Sequence, residues 1–78
     1  MEVTIHYFGM LADAVSKSEE TIKTDLRSIA ELEEFLVGQY PGLNNLNYSI
    51  AKNARICSTN ELINEADTIA FLPPFAGG

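Results

Sequence analysis

Only one segment of this chain carries the pattern of a long helix, so the fold must be one helix laid across whatever the other segments build. It begins at Ser28, with Glu31 three residues later. At that spacing the hydroxyl accepts from the Glu31 amide and the carboxylate returns to the Ser28 amide, forming a capping box. Ile29, Leu32, Leu36 and Tyr40 follow at helical intervals, and Phe35 widens the apolar stripe. Glu31, Glu33 and Glu34 place negative charge in the first turns, where the helix dipole favours it. They read more simply as a solvated helix start than as a catalytic carboxylate pair. Gly38 weakens the last turn by about 1 kcal/mol relative to alanine. Pro41 disfavours helical geometry at Tyr40, and Pro41-Gly42 ends the element.

Short apolar runs surround this helix. Val3 to Phe8 is rich in β-branched and aromatic residues and predicts a first strand, broken by Gly9. Met10 to Val15 predicts a short helix with Leu11, Ala14 and Val15 on one side, and Glu20 to Thr24 predicts a second strand able to form a hairpin with the first. Leu43 to Asn47 reads as a polar loop. Tyr48–Ala51 and Ala54–Cys57 read as two strands around a turn at Lys52-Asn53, since asparagine tolerates left-handed geometry. Glu61–Ile63 suggests a single helical turn, and Ala66-Asp67 a turn before the last strand, Thr68–Leu72. One long helix on one sheet is a two-layer α+β domain spanning residues 1–78. The last strand is nearly continuous in apolar residues, as in a central strand buried on both faces. A two-layer fold covers only one face, which leaves the other for a protein partner.

The chain's 78 residues make one domain. A single cysteine forms no internal disulfide and fits a reducing compartment. No apolar run approaches the roughly 20 residues of a membrane span. The start, Met1-Glu2-Val3-Thr4, lacks the basic and apolar blocks of a signal peptide, so a cytoplasmic location without membrane attachment is expected. A net charge of −6, from five basic and eleven acidic side chains, repels phosphate backbones and argues against nucleic-acid binding. Cys57, in a predicted strand, reads as a small core residue. His6 alternates with Ile5 and Tyr7 and has no Cys, His or Asp cluster in sequence, so it is a poor metal site.

The sequence closes on Phe71-Leu72-Pro73-Pro74-Phe75-Ala76-Gly77-Gly78. A Gly-Gly end alone also fits a frayed terminus. The apolar strand, the proline pair and Phe75 before it favour a working tail. Glycine has no Cβ, so the last two residues can enter a narrow active site and leave their carbonyl open to attack. Pro73 and Pro74 fix φ and lack amide hydrogens, which ends strand pairing and holds the tail extended. Six residues from Pro73 to Gly78 span about 20 Å at roughly 3.3 Å each.

This layout and ending resemble the ubiquitin-like β-grasp sulfur carriers, and among them the MoaD family, the small subunit of molybdopterin synthase. The most specific part is the Pro-Pro and Gly-Gly ending, supported by Asn53 in its turn and Asp67 before the last strand. The family usually has glycine where Ala66 stands, Arg-Glu where Ala12-Asp13 stands and valine where Phe75 stands. The resemblance implies a β-grasp fold with a mixed sheet on one main helix. It implies a carrier that supplies no acid, base or metal and binds no cofactor tightly. An E1-like enzyme would adenylate the Gly78 carboxylate with ATP, and a sulfur donor would convert it to a thiocarboxylate. The large synthase subunit, in a heterotetramer, would catalyse transfer to cyclic pyranopterin monophosphate for molybdenum cofactor biosynthesis. Gly77 would provide access to the carbonyl, and Pro73, Pro74 and Phe75 would bind partners together with Phe8 and Leu72 of the sheet. A carrier for thiamine, cysteine or tRNA thiolation, or a ubiquitin-like protein modifier, remains the alternative.

Overall fold

The computed structural model describes residues 1–74. Its order is β1 (Glu2–Tyr7), α1 (Met10–Val15), β2 (Glu19–Lys23), α2 (Ile29–Gln39), a 3-10 helix (Pro41–Asn45), β3 (Ser49–Lys52), β4 (Arg55–Ile56) and β5 (Thr68–Leu72). The five strands form one mixed sheet in the order β2-β1-β5-β3-β4. β1 and β2 pair antiparallel, β1 and β5 parallel, and β3 runs antiparallel to both β5 and β4. This is a ubiquitin-like β-grasp, the fold class expected from the sequence.

The capping box at Ser28 forms as predicted. The Glu31 amide donates to Ser28 Oγ at 3.1 Å, while Glu31 Oε1 accepts from the Ser28 amide at 3.2 Å and the Arg27 amide at 2.8 Å. The Thr59–Ile63 loop ties down the same helix end: the Ile29 and Ala30 amides donate to the Glu61 and Thr59 carbonyls. Ile29, Leu32 and Leu36 are buried against Val3, Ile5, Tyr7, Ile69 and Phe71 in one core cluster that also takes Leu11, Val15, Leu43, Ile50 and Ile63.

Several expectations are corrected. Phe35 does not widen the buried stripe: it is 46% exposed, on the outer side of α2. In α1, Leu11 and Val15 are buried, but Ala14 is exposed and Ala12 packs on the core instead. The segment after Pro41 is a 3-10 helix, not a polar loop, and its Leu43 is fully buried. Leu46 also packs against the core, and the three asparagines of this segment masked both apolar anchors. Glu61–Ile63 makes no helical turn, because Leu62 pairs in a β-bridge with Ser28. β5 is not buried on both faces. Ile69 and Phe71 face the helix and are fully buried, while Ala70 and Leu72 are only half-buried on the other face. A central strand here keeps one side open because no second helical layer among the described residues covers it.

Candidate functional site

The site begins where the chain leaves the sheet. β5 ends at Leu72, followed by half-buried Pro73 and exposed Pro74. Neither proline can donate to a ladder, so pairing stops here. Beside Pro73 lies Gly9, with φ +58° and ψ −134°, a conformation that side chains rarely permit. A Cβ on Gly9 would stand 3.4 Å from Pro73 Cγ. That is ordinary contact, so the backbone conformation, and not the space beside Pro73, is what calls for glycine in the β1–α1 turn. The Phe8 amide, donating to the Phe71 carbonyl at 3.2 Å, carries the β1–β5 pairing up to the same point. Of the residues expected to form the tail, Phe75, Gly77 and Gly78 lie outside the described residues.

The open sheet face leads to this exit. Register partners Glu19, His6, Ala70, Ala51 and Ile56 follow one another across all five strands. The row grades from a charged end to an apolar one. His6 Nδ1 is 3.9 Å from a Glu19 carboxylate oxygen, whereas Ile56 is 63% exposed. In the next row toward the tail, Leu72 pairs with Ser49. Phe8 follows Tyr7, the partner of Phe71, so alternation puts it on the same side as Leu72. Its ring is 47% exposed and stacks on His6 at 6.3 Å between centroids. Phe8, Leu72, Ala70 and Ile56 thus form an apolar strip running up to Pro73, with Ala51 buried between Ala70 and Ile56. Exposed apolar strips with polar rims are the usual mark of protein docking.

Two polar clusters, one at the start of β5 and one on the helix side, hold the sheet in place. At the start of β5, Asp67 is buried and accepts from Asn53 Nδ2 at 2.9 Å and from the Asn64 amide at 2.8 Å. Asn53 Oδ1 accepts from the Thr68 amide at 2.9 Å, which fixes the β3–β4 turn to β5. Asn53, Ala54 and Ala66 all adopt left-handed φ, at 51°, 72° and 68°. Ala66 therefore occupies a left-handed turn position with a side chain that such a position disfavours. The second cluster centres on Glu20. Its carboxylate accepts from Tyr7 Oη at 2.7 Å and from Tyr40 Oη at 2.9 Å, and Lys17 Nζ stands 3.4 Å away. Partial burial pushes the Glu20 carboxyl up, but hydrogen bonds from Tyr7, Tyr40 and Lys17 outweigh it and hold the group below its ordinary value. Burial, with the Glu20 carboxylate adding to it, raises Tyr7 far above the usual phenol range.

The remaining candidates fall away from the exit. Cys57 is half-buried against the core, and burial followed by Glu61 raises its thiol, so it is not a ready thiolate. Glu31 is occupied by the helix cap, and Glu33 accepts from Tyr48 Oη at 2.6 Å. Among the described residues, no three His, Cys, Asp or Glu gather where they could hold a metal ion. No helix among them is long and apolar enough to cross a membrane. Sequence reasoning missed Ile56, which looked like an ordinary strand residue, and took Gly9 only as a strand breaker. The two-residue β4 places Ile56 at the sheet edge, a fact carried by pairing and not by local pattern.

The fold has close counterparts among solved structures. A putative molybdopterin converting factor subunit 1 from Pyrococcus furiosus superposes with a TM-score of 0.86 at 20% identity, over 96% of this chain and 99% of the other. The small archaeal modifier SAMP1 from Haloferax volcanii gives 0.83 at 19% identity, with both chains fully covered. A complex of subunits 1 and 2 of molybdopterin-converting factor from Helicobacter pylori 26695 contains a chain that matches at 0.73 and 26% identity, again with full coverage of both. The last is described as a protein–protein complex, which agrees with a partner protein as the general context of such a domain. These are structures of the ThiS/MoaD type, a fold shared by sulfur carriers and ubiquitin-like modifiers. The sequence model of the ThiS family matches residues 5–78, nearly the whole length, and this chain belongs to that family.

Proposed function

We propose that the chain is a sulfur carrier, the small subunit of a molybdopterin synthase, with the Gly78 carboxyl as its loading site. The observation that carries this reading is the apolar strip of the open sheet face, which runs directly to Pro73 at the tail exit. A partner seated on that strip would receive the tail with no change in the carrier's fold. The full-length match at 26% identity to the Helicobacter pylori complex supports molybdopterin synthesis as the pathway.

The chemistry follows from the terminal group. A C-terminal carboxyl has a pKa of about 3.3–3.7 and is ionised at neutral pH, so it is a poor electrophile. Adenylation by an E1-like partner joins the carboxylate to the α-phosphate of ATP and expels pyrophosphate. Attack by sulfide from a sulfur donor forms the C–S bond, releases AMP and leaves a thiocarboxylate, whose anionic sulfur is a competent nucleophile. In transfer to cyclic pyranopterin monophosphate the sulfur bonds to the substrate, and water cleaves the resulting thioester, leaving sulfur on the substrate and returning the carboxylate for reloading. The large subunit supplies the catalytic groups, and Gly77, Phe75, Pro74 and Pro73 serve access and docking.

Intact mass analysis tests the loading step. After incubation with the cognate activating enzyme, ATP and a sulfur source, the chain should gain the mass of one oxygen replaced by sulfur. Deleting Gly78, or adding a residue after it, should abolish this while the fold persists; normal loading of the extended chain refutes the site. The ThiS family match agrees equally with a carrier for another pathway. Failure of the loaded chain to convert cyclic pyranopterin monophosphate in the presence of the large subunit would favour that second reading.

A further inference from the structure

α2 has an unused side. Ile29, Leu32 and Leu36 go into the core, while Glu31, Glu34, Phe35 and Gly38 line a groove on the outside together with Leu26 and Gln39. The groove is a shallow, open depression of about 610 Å³. Phe35 is its apolar centre at 46% exposure, and half-buried Leu26 continues the apolar surface. Gly38 leaves bare helix backbone beside Phe35: a Cβ built there meets nothing within 4 Å. Two carboxylates flank this surface, and no basic side chain lines it.

Charge decides what fits. A second copy of the chain, at net charge −6, would bring its own Glu31 and Glu34 against like charges. A basic partner gains the opposite sign from the same groups. We infer that this groove docks an amphipathic helix of another protein, one presenting a bulky apolar side chain flanked by lysine or arginine. Leucines at i and i+4 on such a helix would straddle Phe35 and lie over Gly38. The groove is on the outer side of α2, across the domain from the open sheet face. A carrier docked through its sheet therefore keeps the groove free for a second protein. Groove binding itself does not depend on the sulfur-carrier reading.

The test is an amide NMR titration of the full chain at about 0.15 M salt, where surface charge is screened beyond a Debye length. The probe is an alanine-based helical peptide with leucines at i and i+4 flanked by lysines; its control replaces lysine by glutamate. The expected result is saturable shifts centred on Leu26, Phe35, Gly38 and Gln39 with the lysine peptide and none with the glutamate peptide. Phe35→Ser and Glu34→Lys should each weaken binding at least about fivefold, close to 1 kcal/mol. Both positions are exposed, and unchanged spectra away from α2 confirm that the variants fold. Absence of binding, non-saturating shifts spread over the acidic surface, shifts centred on Phe8, Ile56 and Leu72, or unaltered affinity in both variants would overturn the inference.

Discussion

Replacing Glu20 tests how a domain of this size holds its sheet to its helix. The carboxylate accepts from Tyr7 on β1 at 2.7 Å and from Tyr40 at the end of α2 at 2.9 Å, so one side chain joins three elements. Tyr7 is 2% exposed, and removal of its acceptor strands a buried hydroxyl, which costs about 1–3 kcal/mol. Tyr40 is half-buried and can turn to water, so it adds about 1 kcal/mol or less. Glu20→Ala should therefore lose about 3 kcal/mol, more than half of the roughly 5 kcal/mol expected for so small a domain. Glu20→Gln keeps one acceptor oxygen and should lose about 1 kcal/mol. Urea unfolding of both variants and of Tyr7→Phe, closed as a double-mutant cycle, should give a coupling of about 1–2 kcal/mol. Because the folded-state pKa of Glu20 is depressed, its contribution is complete above the ordinary glutamate pKa. It is lost as pH falls through the lower folded value. Wild type should therefore lose stability on acidification more steeply than Glu20→Ala. A cost below 0.5 kcal/mol for Glu20→Ala, on the order of an ordinary surface substitution, or parallel acid profiles would refute the reasoning.

Ala66→Gly and Ala54→Gly should each raise stability by about 0.5–1 kcal/mol in thermal melts, since both alanines hold left-handed φ; unchanged or lowered midpoints would deny the strain. Phe8→Asp, Leu72→Asp and Ile56→Asp should each weaken large-subunit binding by more than about 2 kcal/mol in calorimetry, with the folds retained, and unaltered affinity rejects the open face as the docking surface. Gly9→Ala should cost about 1–3 kcal/mol of stability, because its φ is strained for alanine; a wild-type melt would count against that. Gly77→Val should slow ATP–pyrophosphate exchange while sparing large-subunit affinity, whereas Phe75→Ala should cost about 1–3 kcal/mol of that affinity; equal loss of one function in both removes the division of labour.

What could be read in the sequence was whatever local chemistry decides. The capping box fixes the start of α2, Pro41 its end, and alternation in β1 separates Val3, Ile5 and Tyr7 from His6. Asn53 and Asp67 could be named as turn residues, but not as partners, because the bond between them joins positions 14 apart through the β3–β5 pairing. The same holds for Glu20, which looked like an unremarkable strand residue until β2 and the end of α2 came together around Tyr7. Leu43 was hidden for the opposite reason: its neighbours are polar, and burial follows from α1 and α2 closing over it.

Phe35 and β5 misled because apolar residues at helical or strand spacing do not say how many layers the fold has. In a domain with a second layer, Phe35 or the outer side of β5 would be core. Here one long helix and one sheet leave both uncovered, on opposite sides of the molecule. The two exposures differ in kind. The sheet face carries an apolar strip that ends at the tail, so whatever covers it also meets the tail. The α2 groove has no such continuity and carries two carboxylates, so its occupant is selected by charge. A chain of 78 residues can thus present two chemically distinct surfaces, because it is too small to bury either.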